Sequence, residues 1–344
     1  MAGGLTRFGN DLYTGARSID FIKRRRLWYV VSAVAVLVSL ALPLLVLPAV
    51  GRGFHFGIEF TGGSQFVVSG STKDVQNTNL AKEAVQSVTG NDVEPLVAVV
   101  GGTDVRVQTT QLDPKGGTAR TDRVQAALAQ AYGVPNPATG NAGVSSSFIG
   151  PTWGADISSG AIRALVIFLV LVAVVMAVYF RTWKMSVAGL VSLLHDLIIT
   201  AGIYGIVGFE ITPAAVIGFL TILGYSLYDT VVVFDKIREN TARLTDGSGR
   251  TFAETVNLAV NQTLVRSINT SIVGLLPIAS ILFIGTTLLG AGTLRDISLA
   301  LFIGIIVGTY STIFVAAPLY TDLRANEPAI KLQSRRALDA RARA

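Results

Sequence analysis

Six stretches of this chain stay apolar for about twenty residues each, at 27–48, 161–180, 185–208, 212–234, 267–287 and 297–318. At a rise of about 1.5 Å per residue, twenty helical residues match a hydrocarbon core of about 30 Å. The pattern therefore predicts six membrane-spanning helices. A hydrophilic region from Gly51 to Ser159 separates the first two and has shorter periods of its own. FHFGIEFTGGSQFVVSG reads as a strand, a turn at Gly62 and Gly63 with positive φ, and a second strand or extension. Lys73 to Val88 reads as an amphipathic helix with Leu80, Ala84, Val85 and Val88 on one face. Pro95 to Val107 is strand-like around a turn at Gly101 and Gly102, Thr121 to Tyr132 is helical, and Val144 to Ile149 is a last strand. The order β-α-β-β-α-β predicts a small ferredoxin-like sandwich.

The expected fold class is an α-helical membrane protein, with six transmembrane helices and one small extracytoplasmic α+β domain of ferredoxin-like type. The expected organisation is a basic N-terminal segment (1–26), a first span (27–48), the external domain (49–160), a five-helix bundle (161–320) and a basic tail (321–344). The short loop 182–184 makes the second and third spans a tight hairpin. Thr251 and Glu254 have capping-box spacing, which predicts an amphipathic helix lying along the membrane within the connection 236–265.

Composition sharpens this picture. The chain is 51% hydrophobic and 15% charged with mean hydropathy +0.55, where a soluble domain carries about 25% charge. The net charge of +6 sits at the two tails and in alternate loops. Lys23, Arg24, Arg25 and Arg26 stand directly before the first span, so the positive-inside rule puts both termini in the cytoplasm. That distribution argues against nucleic acid as a partner. The first apolar run is too long for a signal peptide and is expected to remain as a span. The absence of cysteine excludes thiol chemistry, and His55 and His195 are the only histidines. No cofactor or metal is expected. An enzyme is not expected either, since no nucleophile–base set is visible.

Polar residues inside the spans carry the candidate chemistry. Ser192, Asp196 and Thr200 recur every four residues on the third span, with His195 beside them. Tyr225, Asp229 and Lys236 share a face of the fourth, and Gln262, Arg266, Asn269 and Thr270 a face of the fifth. A charge at mid-membrane costs about 2.5–3.5 kcal/mol on insertion scales, so such residues find a partner or a wet path. Arg266 is the candidate partner of Asp229. The topology puts Asp196, Asp229 and Arg266 at one depth, in the cytoplasmic half. The functional reading is a proton path in which Asp229 changes protonation as Arg266 approaches or withdraws; a static ion pair is the alternative. Proton-path candidates are Asp229, Arg266, Asp196, His195, Asn269 and Thr270. Gly202, Gly205 and Gly208, like Gly304 and Gly308, read as close helix packing. The turn in GIEFTGG lacks the lysine and following helix of a phosphate-binding loop.

Four stretches carry a resemblance: GIEFTGG at 57–63, SLLHDLIITAGIYGI at 192–206, GYSLYDTVVVFDKIREN at 224–240 and NQTLVRSINTS at 261–271. With them the chain resembles the SecF family, the smaller membrane subunits of the SecD–SecF complex, within the resistance–nodulation–division superfamily. Tyr228 and Glu59 depart from the family pattern, where asparagine and aspartate are expected. The resemblance implies a multi-pass protein of the bacterial cytoplasmic membrane. It implies SecD, the SecYEG translocon, YajC/YidC-type accessory proteins, translocating preproteins and protons as partners. The implied role is promotion of preprotein export by the proton-motive force, with Asp229 and Arg266 as the residues matching the family's proton-transport motifs. The alternatives are a proton-driven exporter of small molecules or lipids, and a non-conducting scaffold of the translocon.

Overall fold

The computed structural model describes residues 7, 10–47, 53–100, 102–113, 117–135, 143–242, 249–285 and 292–343. Six helical segments are long and apolar enough to cross a membrane: Arg25–Val46, Thr152–Phe180, Trp183–Val207, Pro213–Ala242, Phe252–Gly285 and Thr293–Ala325. The six expected spans are thus all found, although the expected span ends at 48 and 286–287 lie outside the described residues.

The first span is α1 (Arg25–Ala41), finished by a π turn at Leu42–Val46 that contains Pro43. The region between the first two spans follows as β1 (His55–Phe56), α2 (Ile58–Thr61), β2 (Gly63–Val68), α3 (Asn79–Thr89), β3 (Leu96–Val100), β4 (Asp104–Thr109), α4 (Ala119–Tyr132) and β5 (Val144–Ile149). The four longer strands form one antiparallel sheet in the order β3-β4-β2-β5. This is the β-α-β-β-α-β sandwich that the periodicity predicts. Its core is Phe66, Val68, Val105, Val107 and Val144 of the sheet against Ala81, Val85, Val124 and Leu128 of the helices.

The reading of FHFGIEFTGG needs correction. His55 and Phe56 leave the four-stranded sheet and pair in parallel with β6 (Glu210–Ile211), in the loop after the third span. Ile58 to Thr61 is a turn of helix, because Gly57 and Gly62 flank it and Phe60 and Thr61 bond back to the Gly57 carbonyl. Gly62 (φ 73°) and Gly63 (φ 149°) do have positive φ as expected. A Cβ on Gly154 would strike the Phe60 carbonyl, so this glycine lets the short helix sit directly on the second span. Gly102 turns with φ 77°, and Gly101 lies outside the described residues.

The remaining helices are α5 (Pro151–Phe180), α6 (Trp183–Val207), α7 (Pro213–Ala242), α8 (Phe252–Ser280), α9 (Gly292–Ser311), α10 (Ala317–Ala325) and α11 (Pro328–Arg343). α5 starts at Pro151, ahead of the expected 161, since proline is well placed in a first helical turn. The α5–α6 hairpin turns at Arg181, whose φ of 53° closes it within two residues. The expected helix lying along the membrane is the second correction. Thr251 and Glu254 do form the capping box, but the helix they start runs unbroken into the fifth span. Nothing between Leu264 and Ser267 can stop a helix, and Val256, Ala259, Val260 and Leu264 belong to the same core as Phe234 and Tyr320.

Small residues set the helix spacing. A Cβ on Gly202 would meet the backbone of Ser39, one on Gly205 would meet Pro43, and one on Gly304 would meet Ile222. Gly208 differs from its expected role: with φ 82° it ends α6, and nothing packs on it. Residues 10–14 form a helical turn, and Leu12, Phe21 and Ile22 bury themselves in the main core. Asn257 and Asn261, one turn apart on α8, hold this N-terminal segment. The Asn257 Oδ1 accepts from the Phe21 and Ile22 amides at 2.9 and 3.2 Å, and Asn261 accepts from Ile19 at 2.8 Å. At the other end Arg106 of β4 pairs with Glu210 at 3.0 Å, joining the sheet domain to the loop between α6 and α7.

Candidate functional site

Two buried carboxylates lie in the helix bundle. Asp196, on α6, is fully buried. Its Oδ2 accepts from Ser226 of α7 at 2.6 Å, and its Oδ1 lies 3.2 Å from His195 Nδ1. The His195 ring stacks on Tyr310, and its Nε2 is buried with no hydrogen-bond partner. Tyr310 shares a hydrogen bond with Ser32 of the first span at 3.0 Å. Thr200 bonds back to the Asp196 carbonyl, while Ser192 donates to Ser311 at 3.0 Å. The third-span stripe is therefore wholly inward, as its spacing predicts.

Asp229 of α7 is the second carboxylate. Its Oδ1 accepts from Ser267 of α8 at 2.7 Å, and its Oδ2 is buried without a partner. Among the described residues no ion pair joins Asp229 to Arg266. Arg266 is exposed on the outer side of α8, at the edge of a cavity of about 580 Å³ shared with Tyr13, Asp235, Lys236 and Gln262. Asn269 is exposed and Thr270 half-buried, with the Thr270 carbonyl accepting from Tyr225 at 2.7 Å. Lys236 pairs with Glu239 rather than with anything in the stripe.

The buried polar face of α8 is thus Thr263, Ser267 and Ser271, one residue away from the stripe marked by Arg266. Sequence reasoning followed the charge. The small hydroxyl residues, spaced by four, mark the face that neighbouring helices can approach closely. The polar residues of the sixth span, outside the stripes marked in the sequence, belong to the same buried network. Ser311 meets α6, Thr312 shares a hydrogen bond with Thr230 of α7 at 3.0 Å, and Thr309 shares one with Ser271 of α8 at 2.6 Å. Three helices are therefore tied by hydroxyls to one, just where it passes into the π turn Thr312–Ala316. The signal was visible as TYST at 309–312.

Chemically, Asp229 keeps one oxygen anchored and the other without a donor. Such a carboxyl can gain or lose a proton on the open oxygen without losing its anchor. A guanidinium stands one residue beyond the anchor, on the outer face.

Residues 136–326 match the C-terminal part of the protein export membrane proteins SecD and SecF, and residues 50–73 match their GG motif. The protein translocase subunit SecF of Streptomyces coelicolor is 42% identical over 340 residues, covering 98% of this chain and 85% of its own. The chain belongs to the SecF family. The SecF of Mycobacterium tuberculosis H37Rv is also 42% identical, over 97% of this chain and 73% of its own. In the crystal structure of SecDF from Thermus thermophilus, a translocon-associated membrane protein, the likeness has TM-score 0.70 at 30% identity. It covers 90% of this chain and 39% of that one, so this chain spans about two fifths of the solved SecDF. As a SecF-family protein this is a multi-pass protein of the bacterial membrane with a role in Sec protein export. The family's GG motif is the pair Gly62–Gly63, which carries the chain from α2 into the first long strand of the domain.

Proposed function

We propose that this chain works with SecD as a proton-driven subunit of Sec export, promoting passage and release of preproteins at the SecYEG translocon without making or breaking covalent bonds. The observation that carries this reading is the carboxyl of Asp229, buried with one oxygen anchored by Ser267 and the other unpartnered. An ionised carboxylate left in that state costs far more than a protonated one. Arg266, Asn269 and Thr270 lie alongside on α8, and an inward turn of Arg266 would favour the ionised form. Asp196 and His195 form a second station, linked through Ser226 to the helix that carries Asp229. Support for SecD as partner comes from the SecDF of Thermus thermophilus, 32% identical over 291 residues, of which this chain covers 37%. The start of the first span and the end of the sixth lie at one end of the bundle, since Arg25 pairs with Asp322 at 2.8 Å. The basic residues there support a cytoplasmic position for that end. YajC/YidC-type proteins belong to the same proposed assembly.

The test is Asp229→Asn in inverted membrane vesicles containing SecD and the translocon, assayed with and without an uncoupler. The expected result is loss of the gradient-dependent part of export with complex assembly intact. Full gradient dependence in the variant would make Asp229 a packing residue and this chain a scaffold.

A further inference from the structure

At the end of the bundle where Arg25 meets Asp322, a cavity of about 620 Å³ opens between residues 15–25, the start of α8 and α11. Four cations from separate parts of the chain line it: Lys23, Arg25, Arg250 and Arg341. Two acids, Asp20 and Glu254, line it as well, which leaves the lining with an excess of two positive charges. The cations are not equivalent. Arg25 is committed to Asp322 at 2.8 Å, and Arg341 to Glu254 at 2.6 Å. Among the described residues the side chains of Lys23 and Arg250 have no ion pair and no hydrogen bond. With those pairs set aside, the lining keeps the free side chains of Lys23 and Arg250 against the single acid Asp20, a surplus of one positive charge.

The depth of the cavity limits its ligand. Arg25 is the first residue of the helix that forms the first span, so the cavity lies where a span leaves the apolar layer. Ile22, Ala253 and Leu258 give it an apolar wall. Asp20, exposed and unpaired, offers an acceptor at the rim. Cations for a phosphate, an apolar wall for the start of an acyl chain and an acceptor for a hydroxyl describe the headgroup region of one lipid class. We propose that this cavity binds the phosphate of an anionic glycerophospholipid, phosphatidylglycerol above all, with Lys23 and Arg250 as its ligands and Asp20 accepting from the glycerol hydroxyl.

The consequence would be structural. A bound lipid would bridge the N-terminal segment to the start of α8, the helix that carries Ser267 and Arg266. The experiment uses the full chain, purified in detergent and delipidated, with binding followed by native mass spectrometry and thermal melting. The ligands are phosphatidylglycerol, phosphatidylcholine and inorganic phosphate, and the proteins are wild type and Lys23→Gln/Arg250→Gln. Both substituted side chains are free, so the variant is expected to melt like wild type when no lipid is added. The expected result is saturable binding and stabilisation by phosphatidylglycerol, absent with phosphatidylcholine and about tenfold weaker in the variant. Equal binding of phosphatidylglycerol by both proteins would overturn the site. Equal stabilisation by phosphatidylcholine would overturn recognition of the anion. An effect of inorganic phosphate at the same concentration as the lipid would reassign the cavity to a free anion and overturn the lipid.

Discussion

Ser267 does for Asp229 what a charged partner would otherwise do: it holds one oxygen in place, but it is neutral and cannot cancel the charge. A hydrogen bond to a charged group contributes about 1.5–3 kcal/mol. Ser267→Ala is therefore expected to lower gradient-driven export several-fold in the vesicle assay, with assembly retained. Ser271→Ala, which removes a hydroxyl bonded to Thr309 instead, is the control and is expected to leave the gradient dependence intact. A different residue-scale constraint acts at Gly202, where any side chain would run into the backbone of Ser39. Overpacking of this kind costs about 1–3 kcal/mol. Gly202→Val is expected to lower the melting temperature of the purified chain, and an unchanged melt would mean that the first and third spans can separate freely. Asp229 itself was legible in the sequence, because a carboxylate within an apolar run is rare. Its partner was not. Periodicity fixes which residues share a face but not how that face is rotated toward its neighbours, and at α8 one residue of rotation separates Arg266 from Ser267.

The long elements follow their pattern closely, and departures cluster where a helix crosses from one environment to another. The fifth span and its capped leader form one helix because a capping box announces a start and says nothing of an end. The N-terminal segment is the clearest case of structure that the pattern hides. Its amides are satisfied by Asn257 and Asn261, polar residues some 240 positions away. Replacing Asn257 with alanine would leave the Ile22 amide buried and unbonded, at about 1–3 kcal/mol, and the Phe21 amide with only its bond to the Ile19 carbonyl at 3.0 Å. Fast hydrogen exchange and early proteolysis within residues 10–22 are the expected signs; continued protection there would show that apolar packing suffices. At the chain's other end, Glu327 ties α11 back to the bundle through Arg324 at 2.9 Å and Lys184 at 2.8 Å. Hydrogen bonds from Arg324, then from Lys184, hold the Glu327 carboxyl below the usual carboxylate range. A depressed value means that the tie is complete above the ordinary carboxylate pKa and is lost as pH falls through the lowered one. Exchange protection of residues 328–343 is expected to drop on acidification, and Glu327→Gln to remove that dependence.

On the scale of the whole molecule, the sheet domain is docked on a helix bundle through the β1–β6 seam, the apolar packing of Phe54 and Phe60, and one part-buried polar pair. Glu210 sits in that contact, and its burial raises it above the ordinary carboxylate range in spite of Arg106 beside it. A raised value means that the docked state binds the proton more tightly, so docking strengthens as pH falls through that value and weakens as pH rises past it. Exchange protection around β1 is expected to be greater at the acid end of this window than at neutral pH, with the difference gone in Glu210→Gln. An unchanged difference in the variant would place the titrating group elsewhere. The domain's sandwich was legible in the order of its short elements. Its docking was not, because β1 and β6 are only two residues each and lie far apart in sequence. Their parallel seam, His55 beside Glu210 and Phe56 beside Ile211, also has a mechanical meaning. Tension on the domain can reach the bundle along the chain at either end, from the first span and into the second, and also through this seam, two residues before the helix that bears Asp229 begins. A pull on the domain is thus geared, through a short stretch of backbone, to the start of the helix that bears Asp229.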